Sequence, residues 1–129
     1  MKKILFVCIE NSNRSQMAQA FTNIYGSGKI QGFSAGSKPS GKVNPKAIDA
    51  MRELGYDLTT HSSKSLVEVK SEAPFDVVVT MGCGDACPWM SAKQHIDWQI
   101  PDPRNMEKEQ FNKVRDQIGE MVKDLIDTI

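Results

Sequence analysis

Apolar positions along the chain fall into two patterns, short unbroken runs and stripes at helical spacing, and the order in which these alternate predicts the fold. Lys3 to Val7 (KILFV) is a compact run of β-forming residues that ends at Cys8, where a polar stretch begins. From Ser12 to Ala20 the pattern turns helical, with Met17, Ala18, Phe21 and Tyr25 expected on one buried stripe and Gly26 and Gly28 expected to stop it. Ile30 to Ala35 reads as a second strand. Asn44-Pro45 then places a capping residue before a proline at the first helical position, and Ala47, Ile48, Met51 and Leu54 follow at helical spacing as far as Gly55.

Phe75 to Thr80 (FDVVVT), bounded by Pro74 and Gly82, is nearly all apolar, as expected of a central parallel strand buried on both faces. A weak fourth strand is expected near Ile96 to Gln99. Asp102-Pro103 opens a loop, and Phe111, Val114, Ile118, Val122, Leu125 and Ile126 mark a long amphipathic C-terminal helix. Strands that alternate with helices predict an α/β protein with a parallel sheet. In such sheets ligands bind beyond the carboxyl ends of the strands, the edge on which Cys8, Cys83 and Asp102 are expected to lie.

Length and composition narrow the class. The 129 residues suit one domain with its own core, and 40% hydrophobic with 25% charged residues is a globular balance. Sixteen Lys and Arg against sixteen Asp and Glu leave no net field to attract nucleic acid or an anionic membrane, so any anion site has to be local. The apolar stretch Ile4 to Ile9 is too short for a signal peptide or a membrane span, which predicts a cytoplasmic protein. Thiols stay reduced in the cytoplasm, so the three cysteines are expected to be core residues or chemical groups rather than staples.

Cys8-Ile9-Glu10-Asn11-Ser12-Asn13-Arg14-Ser15 fits Cys-x5-Arg-Ser between a predicted strand and a predicted helix. Five intervening residues let the loop curl around a tetrahedral oxyanion. Its backbone N–H groups and the helix N-terminus supply positive potential, and Arg14 can grip two oxygens. Glu10, Asn11, Ser12, Asn13, Arg14 and Ser15 are therefore the expected oxyanion-binding residues. The same field favours the nucleophilic thiolate of Cys8. Ser15 can donate a hydrogen bond to the sulfur, and Asn11 is a residue type that tolerates left-handed backbone angles.

This segment, with Gln16-Met17-Ala18 after it and Ser34-Ala35-Gly36 further on, resembles the low-molecular-weight tyrosine phosphatase superfamily. Asn44-Pro45-Lys46-Ala47-Ile48, Val77 to Thr80, Cys83, Cys87-Pro88 and Asp102-Pro103 make the chain more similar to the thiol-dependent arsenate reductases within it. The resemblance implies a three-layer fold with a four-stranded parallel sheet flanked by helices, formed by one catalytic domain over residues 1–129. It further implies arsenate as substrate, Cys8 as nucleophile, Arg14 as oxyanion clamp and Asp102 as general acid. Asp102 by itself reads equally well as a cap for the turn before Pro103.

A phosphatase clears its thiol adduct with water, whereas reducing arsenate to arsenite consumes two electrons and needs another thiol. In Gly82-Cys83-Gly84 the flanking glycines would let the backbone swing, so Cys83 is expected to attack the Cys8 sulfur as arsenite leaves. Cys87, four residues on, would then attack Cys83, release Cys8 and leave a Cys83–Cys87 disulfide for an external donor to reduce. A protein disulfide suits thioredoxin as that donor, with glutaredoxin and glutathione, or mycothiol, as the other sources. No cofactor is expected. Three cysteines with His61 and His95 dispersed make a poor zinc site, and both histidines are expected at the surface or the edge of the core. Trp89 and Trp98 are expected to pack rather than to react.

Two departures from the reductase pattern stand out. Asn13 takes a position where a further cysteine often occurs. Among the positions that hold potassium in some members, Asn11, Gln19, Ser34 and Ser63-Lys64 here, neutral Gln19 and cationic Lys64 replace carboxylates, which predicts no potassium requirement. A monomer is expected. Two other functions remain open from the sequence: a phosphatase, with no use for Cys83 and Cys87, and an oxyanion-binding or redox-sensing module without turnover.

Overall fold

A computed structural model describes residues 1–82 and 90–129. Four strands, β1 (Lys2–Cys8), β2 (Ile30–Gly36), β3 (Phe75–Thr80) and β4 (Ala92–Asp97), form one sheet in the order β2-β1-β3-β4, with every pairing parallel. The helices are α1 (Arg14–Tyr25), α2 (Pro45–Arg52), α3 (Leu66–Val69) and α4 (Lys108–Thr128). The expected α/β class, parallel sheet and flanking helices are all present.

β1 is fully apolar inside because it lies between two strands and two layers. Ile4, Phe6 and Cys8 face a large core shared with α1, α2 and α4, while Leu5 and Val7 face a smaller one with Leu66 and Val69 of α3. Phe111, Val114, Ile118, Val122 and Leu125 of α4 are buried on one stripe, as their spacing predicts. Among the described residues no helix is long and apolar enough to cross a membrane.

Three expectations need correction. The fourth strand runs Ala92–Asp97 rather than near 96–99. It is an edge strand, with Lys93, Gln94 and His95 exposed, so it carries no apolar run to mark its position; charge on an edge also discourages pairing with other chains. Tyr25 leaves the predicted buried stripe and is 45% exposed at the end of α1, stacked on Phe21. Leu54 is likewise 45% exposed, because α2 ends at Arg52 before Leu54 could face the core. Trp98 packs as expected, buried against Phe6 with ring centroids 5.9 Å apart. α3 is a single turn that buries Leu66 and Val69, and Ser65 and Glu68 form a reciprocal capping box that starts it.

Candidate functional site

The register of β1 puts Cys8 at the carboxyl end of the sheet, opposite Gly36 of β2. The chain then turns over that edge and enters α1 at Arg14. Gly36 explains part of the Ser34-Ala35-Gly36 motif: a Cβ there would meet Ile9 O at 2.5 Å and Asn11 N at 3.0 Å, so only glycine lets the loop lie on β2. Asn11 takes the left-handed conformation expected of it, with φ 53°.

Cys8 Sγ is buried and lies 2.8 Å from Ser15 Oγ, and it accepts from the backbone N–H of Asn11 at 3.3 Å. Asn11 Nδ2 in turn donates to Ser15 Oγ at 2.7 Å. Ser15 thus lies at hydrogen-bond distance from the sulfur, where the sequence reading expects a donor, and Asn11, expected to shape the loop, also contacts the sulfur through its backbone N–H. α1 begins beside them with Asn13 at its N-cap position. That side chain makes no capping bond, and no acidic residue lies in the first turn, so the positive end of the helix is left uncompensated.

Arg14 is buried. Its Nη1 donates to Ile100 O at 3.0 Å, and its Nη2 lies 4.0 Å from Asp102 Oδ2. Gly82, just past β3, has φ 81°, and a Cβ on it would collide with Arg14 Nη1. Its glycine thus has a local cause in left-handed backbone and close packing on the guanidinium. Asp102 Oδ1 accepts from Arg104 N at 3.0 Å, capping the turn, and its half-exposed carboxylate also lines the cavity at Cys8.

That cavity, about 350 Å³, is lined by Cys8, Arg14 and Asp102 together with Glu10, Lys38 and Arg104. Ser12 and Asn13 also border it. The Glu10 carboxylate is paired with Arg104 Nη1 at 2.5 Å, which offsets the repulsion it would exert on an anion. Ser12 Oγ is committed to Lys42 O at 2.9 Å and to Ser40 Oγ, so its side chain shapes the loop. No aromatic ring borders the cavity among the described residues. Cys83 and Cys87, with Trp89, lie outside the described residues. Gly82 borders an adjoining cavity with Arg14 and Asp102, so the chain leaves the described region beside the Cys8 site.

The positions expected for potassium are occupied by internal partners. Ser34 Oγ donates to Gln19 Oε1 at 2.6 Å, and Asn11 Oδ1 accepts from Gln16 Nε2 at 2.9 Å and from Lys64 N at 2.8 Å. Lys64 Nζ donates to Ser62 O at 2.7 Å, and burial pulls its pKa below the usual lysine range. His61, expected at the surface or the edge of the core, joins this network. Its Nδ1 lies 3.0 Å from Gln16 Oε1 and its Nε2 2.6 Å from Tyr56 OH. Burial, reinforced by the Lys64 charge, lowers its pKa to about 4. Nothing in the spacing of His61, Tyr56 and Gln16 could have linked them to Cys8, because 45 residues separate His61 from Gln16.

A parallel α/β sheet whose first strand ends in a Cys-x5-Arg-Ser loop, feeding the uncapped start of a helix, defines a thiol protein built to handle tetrahedral oxyanions. The chain belongs to the low molecular weight phosphotyrosine protein phosphatase family, whose model matches residues 3–129. It is 40% identical over 129 residues to a Synechocystis protein named glutaredoxin arsenate reductase, with 98% of this chain and 97% of the relative covered. A solved structure described as an arsenate reductase in the phosphate binding state superposes with a TM-score of 0.90 at 40% identity, covering 100% of this chain and 99% of that one. A Corynebacterium glutamicum thioredoxin-dependent arsenate reductase matches at 28% identity and a TM-score of 0.83, covering 99% of this chain and 61% of that one.

Proposed function

We propose that this chain is a single catalytic domain that reduces arsenate to arsenite. The observation that carries this reading is the cavity at Cys8: a buried sulfur with two hydrogen-bond partners, an arginine and a carboxylate share a small polar space without an aromatic wall among the described residues. Such a space suits a bare oxyanion better than an aryl phosphate. The names of the relatives support the same substrate.

The Cys8 thiolate attacks arsenic, and one arsenate hydroxyl leaves as water on receiving a proton from Asp102. The adduct keeps arsenic in the pentavalent state. Cys83 then attacks the Cys8 sulfur; the sulfur–arsenic electron pair passes to arsenic, arsenite departs, and a Cys8–Cys83 disulfide remains. Attack by Cys87 on Cys83 frees Cys8, and the Cys83–Cys87 disulfide is reduced from outside. Throughout, Arg14 and the backbone N–H groups of Glu10 to Ser15 hold the oxyanion. The enzyme acts as a cytoplasmic monomer without a cofactor, and the Gln19–Ser34 pair and Lys64 support independence from potassium.

Thioredoxin is the proposed donor, because the cycle ends in a disulfide within the protein. The name of the Synechocystis relative favours a second reading, in which glutaredoxin and glutathione take that place. Consumption of NADPH with arsenate and each purified donor system, in the wild type and in single Cys→Ser variants, tests reaction and donor together. Turnover is expected in the wild type with one donor and not in Cys83→Ser. Reduction by Cys83→Ser at the wild-type rate would sink the relay, and hydrolysis of aryl phosphate without arsenate reduction would establish a phosphatase.

A further inference from the structure

An oxyanion cavity calls for donors, yet two carboxylates line this one. Among the described residues around it, Arg14, Arg104 and Lys38 bring cationic N–H groups, while Glu10 and Asp102 bring carboxylate oxygens. A carboxylate beside an anion weakens binding unless the anion offers it a proton.

The two acids are held differently. Asp102 Oδ1 accepts from Arg104 N, and Oδ2 lies 4.0 Å from Arg14 Nη2; this is the group that releases a proton in the proposed reaction. Glu10 Oε2 meets Arg104 Nη1 at 2.5 Å, and because a guanidinium has only donors, Glu10 stands there as an acceptor. Both ends of this pair are anchored. Glu10 O accepts from Ser40 N and from Ser63 Oγ, each at 3.0 Å, and Lys46 Nζ donates to Arg104 O at 3.2 Å. Among the described residues Glu10 Oε1 has no hydrogen-bond partner, so one oxygen of a fixed carboxylate is left over at the cavity.

We propose that Glu10 is a specificity-determining residue: its carboxylate accepts a hydrogen bond from a hydroxyl of the bound oxyanion, which admits anions that keep a proton at neutral pH and rejects those that keep none. Arsenate and phosphate keep at least one. Sulfate has the same tetrahedral shape but no proton, and meets Glu10 oxygen to oxygen. The inference rests on the Cys8 loop binding a tetrahedral oxyanion, and its test needs no arsenate reduction.

Inorganic phosphate and sulfate are the probes, read by how far each protects Cys8 from iodoacetamide in a chain carrying Cys83→Ser and Cys87→Ser. At about pH 8.5, above the second phosphate pKa, both are dianions and differ by one proton, so charge alone does not separate them. With Glu10 present, phosphate is expected to protect at about thirtyfold lower concentration than sulfate, the scale of one hydrogen bond to a charged group. Glu10→Gln keeps the shape of a partly exposed side chain, and its amide can donate as well as accept; it should bring the two anions within about threefold, chiefly by improving sulfate. Equal protection by both anions with Glu10 in place, or a ratio that Glu10→Gln leaves unchanged, would overturn the proposal. So would a ratio that collapses only in Asp102→Asn, which would assign the proton contact to Asp102. Protection by neither anion would remove the oxyanion site together with this inference. The expected ratios in a chain that never reduces arsenate would leave the role of Glu10 standing and remove the proposed reaction.

Discussion

α1 and α2 both have asparagine at the N-cap position and use it in opposite ways. Asn44 caps α2: its backbone is extended and its side chain accepts from Lys46 N at 2.9 Å. Asn13 sits at the start of α1 with φ −126° and ψ −79°, makes no capping bond, and buries its Oδ1 without a hydrogen-bond partner among the described residues. A folding criterion alone would disfavour the second arrangement, since a buried unpaired acceptor costs about 1–3 kcal/mol. What it yields is a helix start whose N–H groups no side chain has claimed, facing the cavity at Cys8. One residue type at one nominal position thus serves stability in α2 and leaves room for an anion in α1.

Substitutions can break this contrast from either side. The largest effect is expected for Arg14→Lys, which keeps the charge at α1 but loses the planar fork: kcat/KM for arsenate should fall about a hundredfold in the coupled assay. Asn13→Asp supplies the missing acidic group. Competitive inhibition by phosphate should weaken about tenfold through charge repulsion, while the melting temperature holds or rises because a carboxylate suits a helix start. Asn44→Ala makes the mirror-image change at α2, and denaturant unfolding should show a loss of about 1 kcal/mol with kcat and KM unaltered.

The smallest effect concerns His61, which braces only the α1 side. Its pKa of about 4 in the folded chain lies below the ordinary value of 6.5, so between these pH values the unfolded chain binds more protons. Its contribution is complete above about pH 6.5 and is lost as pH falls toward 4. Because solvent reaches part of the ring, the change should stay under about 1 kcal/mol. Urea midpoints measured across that range should vary less in His61→Asn than in the wild type.

Legibility in the sequence followed burial. β1, β3 and α4 are legible because their residues meet the core at regular spacing, whereas the edge strand β4 meets solvent and the apolar pattern points several residues past its start. Tyr25 and Leu54 fit the helical stripes by spacing and still came out half-exposed, since where each helix ends decides which residues the core receives. The capping box at Ser65 and Glu68 was readable as Ser-x-x-Glu but has only one short turn of helix to announce.

The sequence by itself determined the order of elements, the α/β class and the Cys8–Ser15 loop, because strand runs, helical stripes and a contiguous oxyanion motif are all local properties of a chain. Only the tertiary structure decided that Asp102 shares a cavity with Cys8, that Gly36 and Gly82 are glycines because Asn11 and Arg14 lie against them, and that His61 and Tyr56 stand behind Gln16. Each of these joins residues far apart in the chain. Such contacts arise only when parallel strands bring their carboxyl ends to one edge and the loops between them pack together.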